Sequence, residues 1–180
     1  MEYIDINKNL QDGKNTGGLK QLVYFGLWDD VETFPALPSA PATLEAGAEI
    51  TADLIMKTGK NLFSMYLTDD TGEFSIEQIG ETDGKSYLTK LSLFHPGLQK
   101  KILGFMNATK NENLVLIVPD ADGQNYLMGD ALRPATMSGS PDGAGTTKET
   151  AGRKGVSMEF TYKTGDVYVY DGAIPLTPAA

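Results

Sequence analysis

The stretch GVSMEFTYKTGDVYVYDG, residues 155–172, decides how the chain is read. From Val156 the even positions Val156, Met158, Phe160 and Tyr162 are apolar, while Ser157, Glu159, Thr161 and Lys163 are polar. That is the period-two pattern of a strand with one face buried. Thr164-Gly165-Asp166 then reads as a turn, and Val167-Tyr168-Val169-Tyr170 as the returning arm of a β-hairpin. Just ahead lies Met137 to Lys154, rich in Gly, Ser, Thr, Ala and charge, with almost nothing to bury. A loop of that length in a compact β domain is disordered, functional, or ordered by a partner.

Working back toward the N-terminus, Leu114 to Val118 is a continuous apolar strand, Pro119 to Gly123 a turn, and Asn125 to Asp130 its hairpin partner. Leu98, Ile102, Phe105 and Met106 fall at helical spacing after Pro96, which predicts one short helix over Pro96 to Thr109. Ile50 to Lys57, Leu62 to Leu67, Glu73 to Ile79 and Lys85 to Phe94 are strand-like runs separated by turn residues, and predict a four-stranded antiparallel meander. Leu19 to Trp28 is a further strand, followed by a connection that Pro35, Pro38 and Pro41 keep irregular. Residues 1–18, with Asn7-Lys8-Asn9, Asp12-Gly13-Lys14-Asn15 and Gly17-Gly18, read as a mobile arm. The expected fold is mainly β: an antiparallel β-sandwich or barrel with one short α-helix, forming a single domain over 19–180 with a Gly-rich loop at 137–155.

A chain of 180 residues and 19.4 kDa suits one domain with a substantial core, and 41% hydrophobic residues is a globular composition. No apolar run reaches the roughly twenty residues needed to cross a bilayer, and the start Met1-Glu2-Tyr3-Ile4-Asp5 lacks signal-peptide features, so no membrane partner and a cytoplasmic, unprocessed chain are expected. Without cysteine there is no disulfide, thiolate metal site or cysteine nucleophile. A formal net charge of −9 argues against holding nucleic acid through counterion release, but not against a surface that DNA passes without sticking.

Catalytic and metal motifs are weak. Asp120-Ala121-Asp122-Gly123-Gln124-Asn125 has Gly fourth where a calcium loop needs it sixth, and Ala131 at position twelve where a Glu is needed, so it reads as a hairpin turn. His95 has no Gly-x-Ser-x-Gly elbow to serve and is expected to border the helix. Asp69, Asp70 and Glu73, or Glu77 and Glu81, could pair as hydrolytic carboxylates, but they occupy or adjoin predicted turns where acids are ordinarily solvated. Gly139, Gly143, Gly145, Gly152 and Gly155 do not form a phosphate loop, and Arg153-Lys154 is an isolated basic pair suited to acidic neighbours. No enzyme activity and no cofactor or metal are expected.

Several short motifs together resemble a family. They are Asn15-x-Gly-Gly-Leu-x-x-Leu-x-Tyr-Phe, Asp29-Asp30-Val31-Glu32-Thr33-Phe34-Pro35, Tyr126-Leu127-Met128-Gly129-Asp130, Gly155-Val156-Ser157-Met158-Glu159-Phe160 and Val169-Tyr170-Asp171-Gly172. With the long loop between them, they resemble structural tail-tube or tail-ring proteins of bacteriophages that infect gut and related Bacteroidetes. The resemblance implies a tail-tube-like sandwich or barrel flanked by a helix, assembled as a homohexameric ring whose stacked copies form a conduit for DNA. It further implies a virion tail protein, assembled in the host cytoplasm, whose partners are its own copies, other tail or connector proteins, and DNA in transient passage. The reaching loop would be Met137 to Gly155, with Ser138, Gly139, Asp142, Gly143, Gly145, Lys148, Glu149, Arg153 and Lys154 between subunits. A second arm would run from Asn7 to Gly18, including Asn15, Gly17 and Gly18. Inner strands would include Ile50 to Lys57 and Glu73 to Ile79, placing Glu49, Asp53, Glu73 and Glu77 toward a lumen as an acidic wall that repels phosphate. Two other readings remain: a monomeric carbohydrate-binding β-sandwich stacking sugars on Trp28, Tyr66, Tyr87 or Tyr126, and a hydrolase built on the acidic turns.

Overall fold

The computed structural model describes residues 6, 16–139, 142–149 and 151–178. Its strands are β1 Leu22–Leu27, β2 Val31–Thr33, β3 Glu49–Ile50, β4 Ile55–Met56, β5 Phe63–Tyr66, β6 Glu73–Ile79 and β7 Ser86–Pro96. After the helix α1, Lys100–Thr109, come β8 Leu114–Pro119, β9 Asn125–Met128, β10 Thr136–Met137, β11 Ala144–Thr146, β12 Lys154–Thr164 and β13 Val169–Tyr170. A six-stranded sheet has the order β3-β13-β9-β8-β1-β5. A five-stranded sheet has the order β10-β12-β7-β6 with β11 also on β12, and β2 pairs with β4 alone. Nearly all pairs are antiparallel; β13 with β3 is parallel. The mainly-β sandwich with one helix is as the sequence predicts.

All six residues of β8 are buried, which explains their unbroken apolar run. A strand covered on one face alternates; a strand covered on both does not need to. Leu114, Leu116 and Val118 enter the core between the two sheets, with Val23, Met65, Leu91, Leu93, Met158 and Phe160. Val115 and Ile117 point the other way, into a second core with Ile50, Leu54, Met56, Leu62 and Tyr170. The helix closes the first core: Ile102 is buried, and Phe105 meets Phe25 edge-on with ring centroids 4.8 Å apart. It starts at Lys100, later than its periodicity predicts, because β7 stays in the sheet through Pro96, opposite Gly155.

Strand pairing departs from the sequence reading in two places. The turn at Thr164-Gly165-Asp166 does not fold Val167 to Tyr170 back on β12 as a hairpin. β12 pairs with β7 over Gly155–Thr164, and β13 crosses to the other sheet to lie between β3 and β9. Tyr170 is the anchor of that crossing: it is wholly buried, its hydroxyl accepts from the Leu54 N–H at 2.9 Å and donates to the Ala173 carbonyl at 2.7 Å. The predicted meander also breaks up. Only β6 and β7 pair as neighbours; β5 joins β1, and Ile50 to Lys57 divides into β3 and β4 in separate sheets. Ile50, Leu54 and Met56 are still buried, but the backbone between the two strands bonds to Tyr170 and, through Asp53 Oδ1, to the Ala173 N–H instead of to a ladder.

A buried carboxylate ties the sheets together at the far end of β12. Asp130 accepts the Leu132 and Arg133 N–H groups on Oδ1 at 2.6 and 2.7 Å, and the Tyr162 hydroxyl on Oδ2 at 2.6 Å. Its carbonyl accepts the Trp28 indole N–H at 2.7 Å. Burial first, then the bond to Asp130, pushes the Tyr162 hydroxyl far above the usual phenol range. Burial likewise raises Tyr170. Both groups therefore ionise more readily in the unfolded chain, whose phenols titrate near 10.0, so the stability they contribute is whole below that pH and declines above it. The urea midpoint is expected to fall as pH rises past 10, and Tyr162→Phe should flatten that fall. At neutral pH the same variant should lose about 1.5–3 kcal/mol, since it leaves a carboxylate oxygen without its hydroxyl partner. A Tyr162→Phe protein as stable as the parent at pH 7 would show that the network is unimportant.

Candidate assembly surface

The five-stranded sheet packs one face on the first core and leaves the other uncovered by any described element. Alternation along each strand sets which side chains stand on that outer face. The register aligns them in rows: Glu73, Ser92 and Glu159; then Ser75, Lys90, Thr161 and Thr136; then Glu77, Leu88 and Lys163. The inward set, Phe74, Leu91, Phe160 and their neighbours, belongs to the core. Lys90 bridges diagonally to Glu77 at 2.9 Å, so the face carries three carboxylates against two ammonium groups, with hydroxyls between. It is a nearly balanced polar wall, not an acidic one.

Only part of the expected lumen set shares this wall. Glu73 and Glu77 stand on it, exposed, on the edge strand β6. Glu49 lies on β3 at the edge of the other sheet, and Asp53 in the loop beyond it. The four carboxylates do not form one surface, because Ile50 to Lys57 turns away to fill the second core.

The Gly-rich segment forms the rim of a groove at one end of the wall. Ser138 bonds through its N–H and its hydroxyl to Glu159. Gly139 and Gly143 take positive φ, and the Gly143 carbonyl accepts the Ser157 N–H. Gly145 pairs with Gly155 and Thr146 with Lys154, so part of the expected free loop is a strand on its own chain. Asp142 is exposed and lines the groove, Lys148 and Glu149 are exposed but do not line it, and Ser140, Pro141 and Thr150 lie outside the described residues. The groove, of about 740 Å³, runs between this rim and Asp70-Thr71, over Ser92, Phe94 and Ser157. Arg153 lies over the Phe94 ring, 5.9 Å from its centroid. Phe94 can lie there because residue 155 has no side chain: a Cβ would sit 2.4 Å from the Phe94 ring and 2.4 Å from the His95 carbonyl.

The remaining candidates are absorbed by the fold. Gly17 and Gly18 sit against the β8–β9 turn, where Thr16 N–H reaches the Asp122 carboxylate and the Gly18 carbonyl accepts Ala121 N–H. Asn15 lies outside the described residues. His95 Nδ1 is 2.8 Å from the Tyr66 carbonyl, linking the two sheets. Asp120 accepts the Gly123 and Gln124 N–H groups as a hairpin turn should, with Gly123 at φ +100°. No group of three or more metal-ligating side chains occurs among the described residues. Trp28 packs on Phe34 and Tyr126 stacks on Phe74, and no two of Trp28, Tyr66, Tyr87 and Tyr126 touch among the described residues, so they form no common shelf for a sugar. No family profile, characterised protein or solved structure matches this chain.

Gly155→Ala is expected to destabilise the fold by about 1–3 kcal/mol, the usual cost of overpacking. Thermal unfolding reads it, and an unchanged midpoint would mean that Phe94 has room to leave the β12 backbone.

Proposed function

We propose that this chain is a structural subunit that joins its five-stranded sheet to that of a neighbouring copy, closing a ring of the tail-tube or tail-ring kind. One observation carries the reading. Among the described residues the five-stranded sheet ends in unpaired edges on both sides, β6 on one and the short β10 and β11 on the other, with an uncovered polar face between them. On β6, Ile76 points to the same side as Phe74 yet remains 41% exposed, an apolar side chain on a strand with no further partner among the described residues. The opposite edge, Thr136–Met137 and Ala144–Thr146, carries no charge, so it can meet Glu73 and Glu77 without repulsion. Edge-to-edge pairing of unlike edges is heterologous, and it closes into a ring when the rotation per subunit allows.

In such a ring the outer polar wall faces the bore. Its near-balanced charge and hydroxyls offer DNA phosphates no basic stripe to adhere to. The homohexamer, its stacking, its place in a virion tail and its tail or connector partners follow from the resemblance described above. No cofactor or enzymatic step enters the role.

Light scattering and negative-stain imaging at rising concentration test the proposal, with rings or tubes as the expected result. Ile76→Lys should keep the monomer's stability within about 0.5 kcal/mol, as surface changes do, and abolish those assemblies. A parent protein that stays monomeric throughout, or an Ile76→Lys variant that assembles normally, overturns the β6 edge as the contact.

A further inference from the structure

The β9–β10 loop carries a feature that edge pairing does not use. Leu132 at its tip is 87% exposed. A single exposed leucine is ordinary; what sets this one apart is the rigidity of its support. Five hydrogen bonds converge on Asp130: from Leu132 N–H, Arg133 N–H, the Tyr162 hydroxyl and the Trp28 indole to its oxygens, and from its own N–H to the Arg133 carbonyl. The loop backbone is therefore held with Leu132 and Arg133 exposed, which lowers the backbone part of the ordering cost of binding. The Arg133 side chain has no ion pair among the described residues.

The groove at the opposite end of the wall has complementary chemistry. Asp70, Asp142 and Glu159 line it against the single guanidinium of Arg153, and Phe94 supplies an apolar surface. Its volume of about 740 Å³ lies in the range of small-ligand sites. The tip does not occupy the groove of its own chain: Leu132 is 87% exposed and neither it nor Arg133 lines the groove, although Glu159, at the near end, is only three positions from Tyr162, about 10 Å at strand rise. Tyr162, which anchors the loop, and Gly155, beneath the groove, are seven positions apart on β12, roughly 23 Å at strand rise. Leu132 is two residues beyond Asp130, a reach of about 7 Å at full extension.

We infer that the Leu132–Arg133 tip of one copy seats in the Asp70–Asp142–Glu159 groove of another, head to tail along the direction of β12. The inference rests on the self-assembly reading and adds a second contact to it. Edge pairing extends the sheet across its strands, whereas this contact runs along them, so it joins one ring to the next. Arg133 is the specificity element, because its charge selects the acidic groove, and Leu132 supplies burial against Phe94.

Cross-linking separates the two contacts, since the chain has no cysteine of its own. An equimolar mixture of Ala131→Cys and Asp142→Cys proteins, distinguished by a mass tag, should on mild oxidation give the mixed dimer well in excess of either homodimer. Arg133→Glu should leave single rings intact and raise the concentration needed for stacking by about tenfold or more, and adding Asp142→Arg should restore it. Rings whose stacking ignores Arg133→Glu, or a mixture that yields no mixed dimer while rings persist, would overturn the tip-in-groove contact and leave edge pairing standing. Absence of rings in the parent would overturn both.

Discussion

The centre of the six-stranded sheet is buried on both faces, and most of the architecture follows from satisfying that constraint. Its middle strand β8 sends Leu114, Leu116 and Val118 to one side and Val115 and Ile117 to the other. Each such side chain gains roughly 1.5–3 kcal/mol only when it is fully covered. The five-stranded sheet and the helix cover the first side. No helix or large sheet covers the second; segments 49–62 and 168–174, which include β3 and β13 at the edge of the same sheet, cover it together with Val31 and Phe34. These pieces form only the two-residue strands β3, β4 and β13, because their task is to place Ile50, Leu54, Met56 and Tyr170 rather than to build a ladder. The Tyr170 hydroxyl replaces a missing ladder bond by accepting from Leu54. Gly172 is needed beside it, since a Cβ there would lie 2.7 Å from that hydroxyl and 2.6 Å from the Ala52 carbonyl.

This explains what could be read from the sequence and what could not. The apolar pattern reports burial: long alternation locates β6 and β12 closely, and an unbroken apolar run locates β8. It does not report which strand lies alongside. Tyr168 and Tyr170 continue the spacing of Val156 to Tyr162, yet the two sets belong to different cores. A Thr-Gly-Asp turn looks the same whether the chain returns or crosses over. The helix face was legible from Leu98, Ile102, Phe105 and Met106, but not its start, which depends on Pro96 pairing with Gly155 far along the chain. The candidate surface was legible to the same degree. Glu73 and Glu77 lie on a long alternating strand and so share a face; Glu49 and Asp53 lie where the pattern breaks. Asp130 gave no local signal because its partners Tyr162 and Trp28 are 32 and 102 residues away. For the same reason Leu132 reads in sequence like any core leucine.

The two sheets are treated unequally, and the proposed assembly draws on that inequality. The central sheet is covered on both faces at β8 and ends in β3, only two residues long, and β5, four residues long. The five-stranded sheet has an open face and ends in β6, seven residues long. A long open edge is a hazard in a solitary molecule. Copies adding to it in parallel register would set Glu73 against Glu73 and Glu77 against Glu77, a like-charge ladder that disfavours fibre-like stacking. The uncharged edge of β10 and β11 meets no such penalty. In the proposed assembly the carboxylates of β6 would thus act as a filter on its pairing: they would oppose addition of like edges and permit addition of the unlike edge, and a succession of unlike edges is the arrangement from which a closed ring is made.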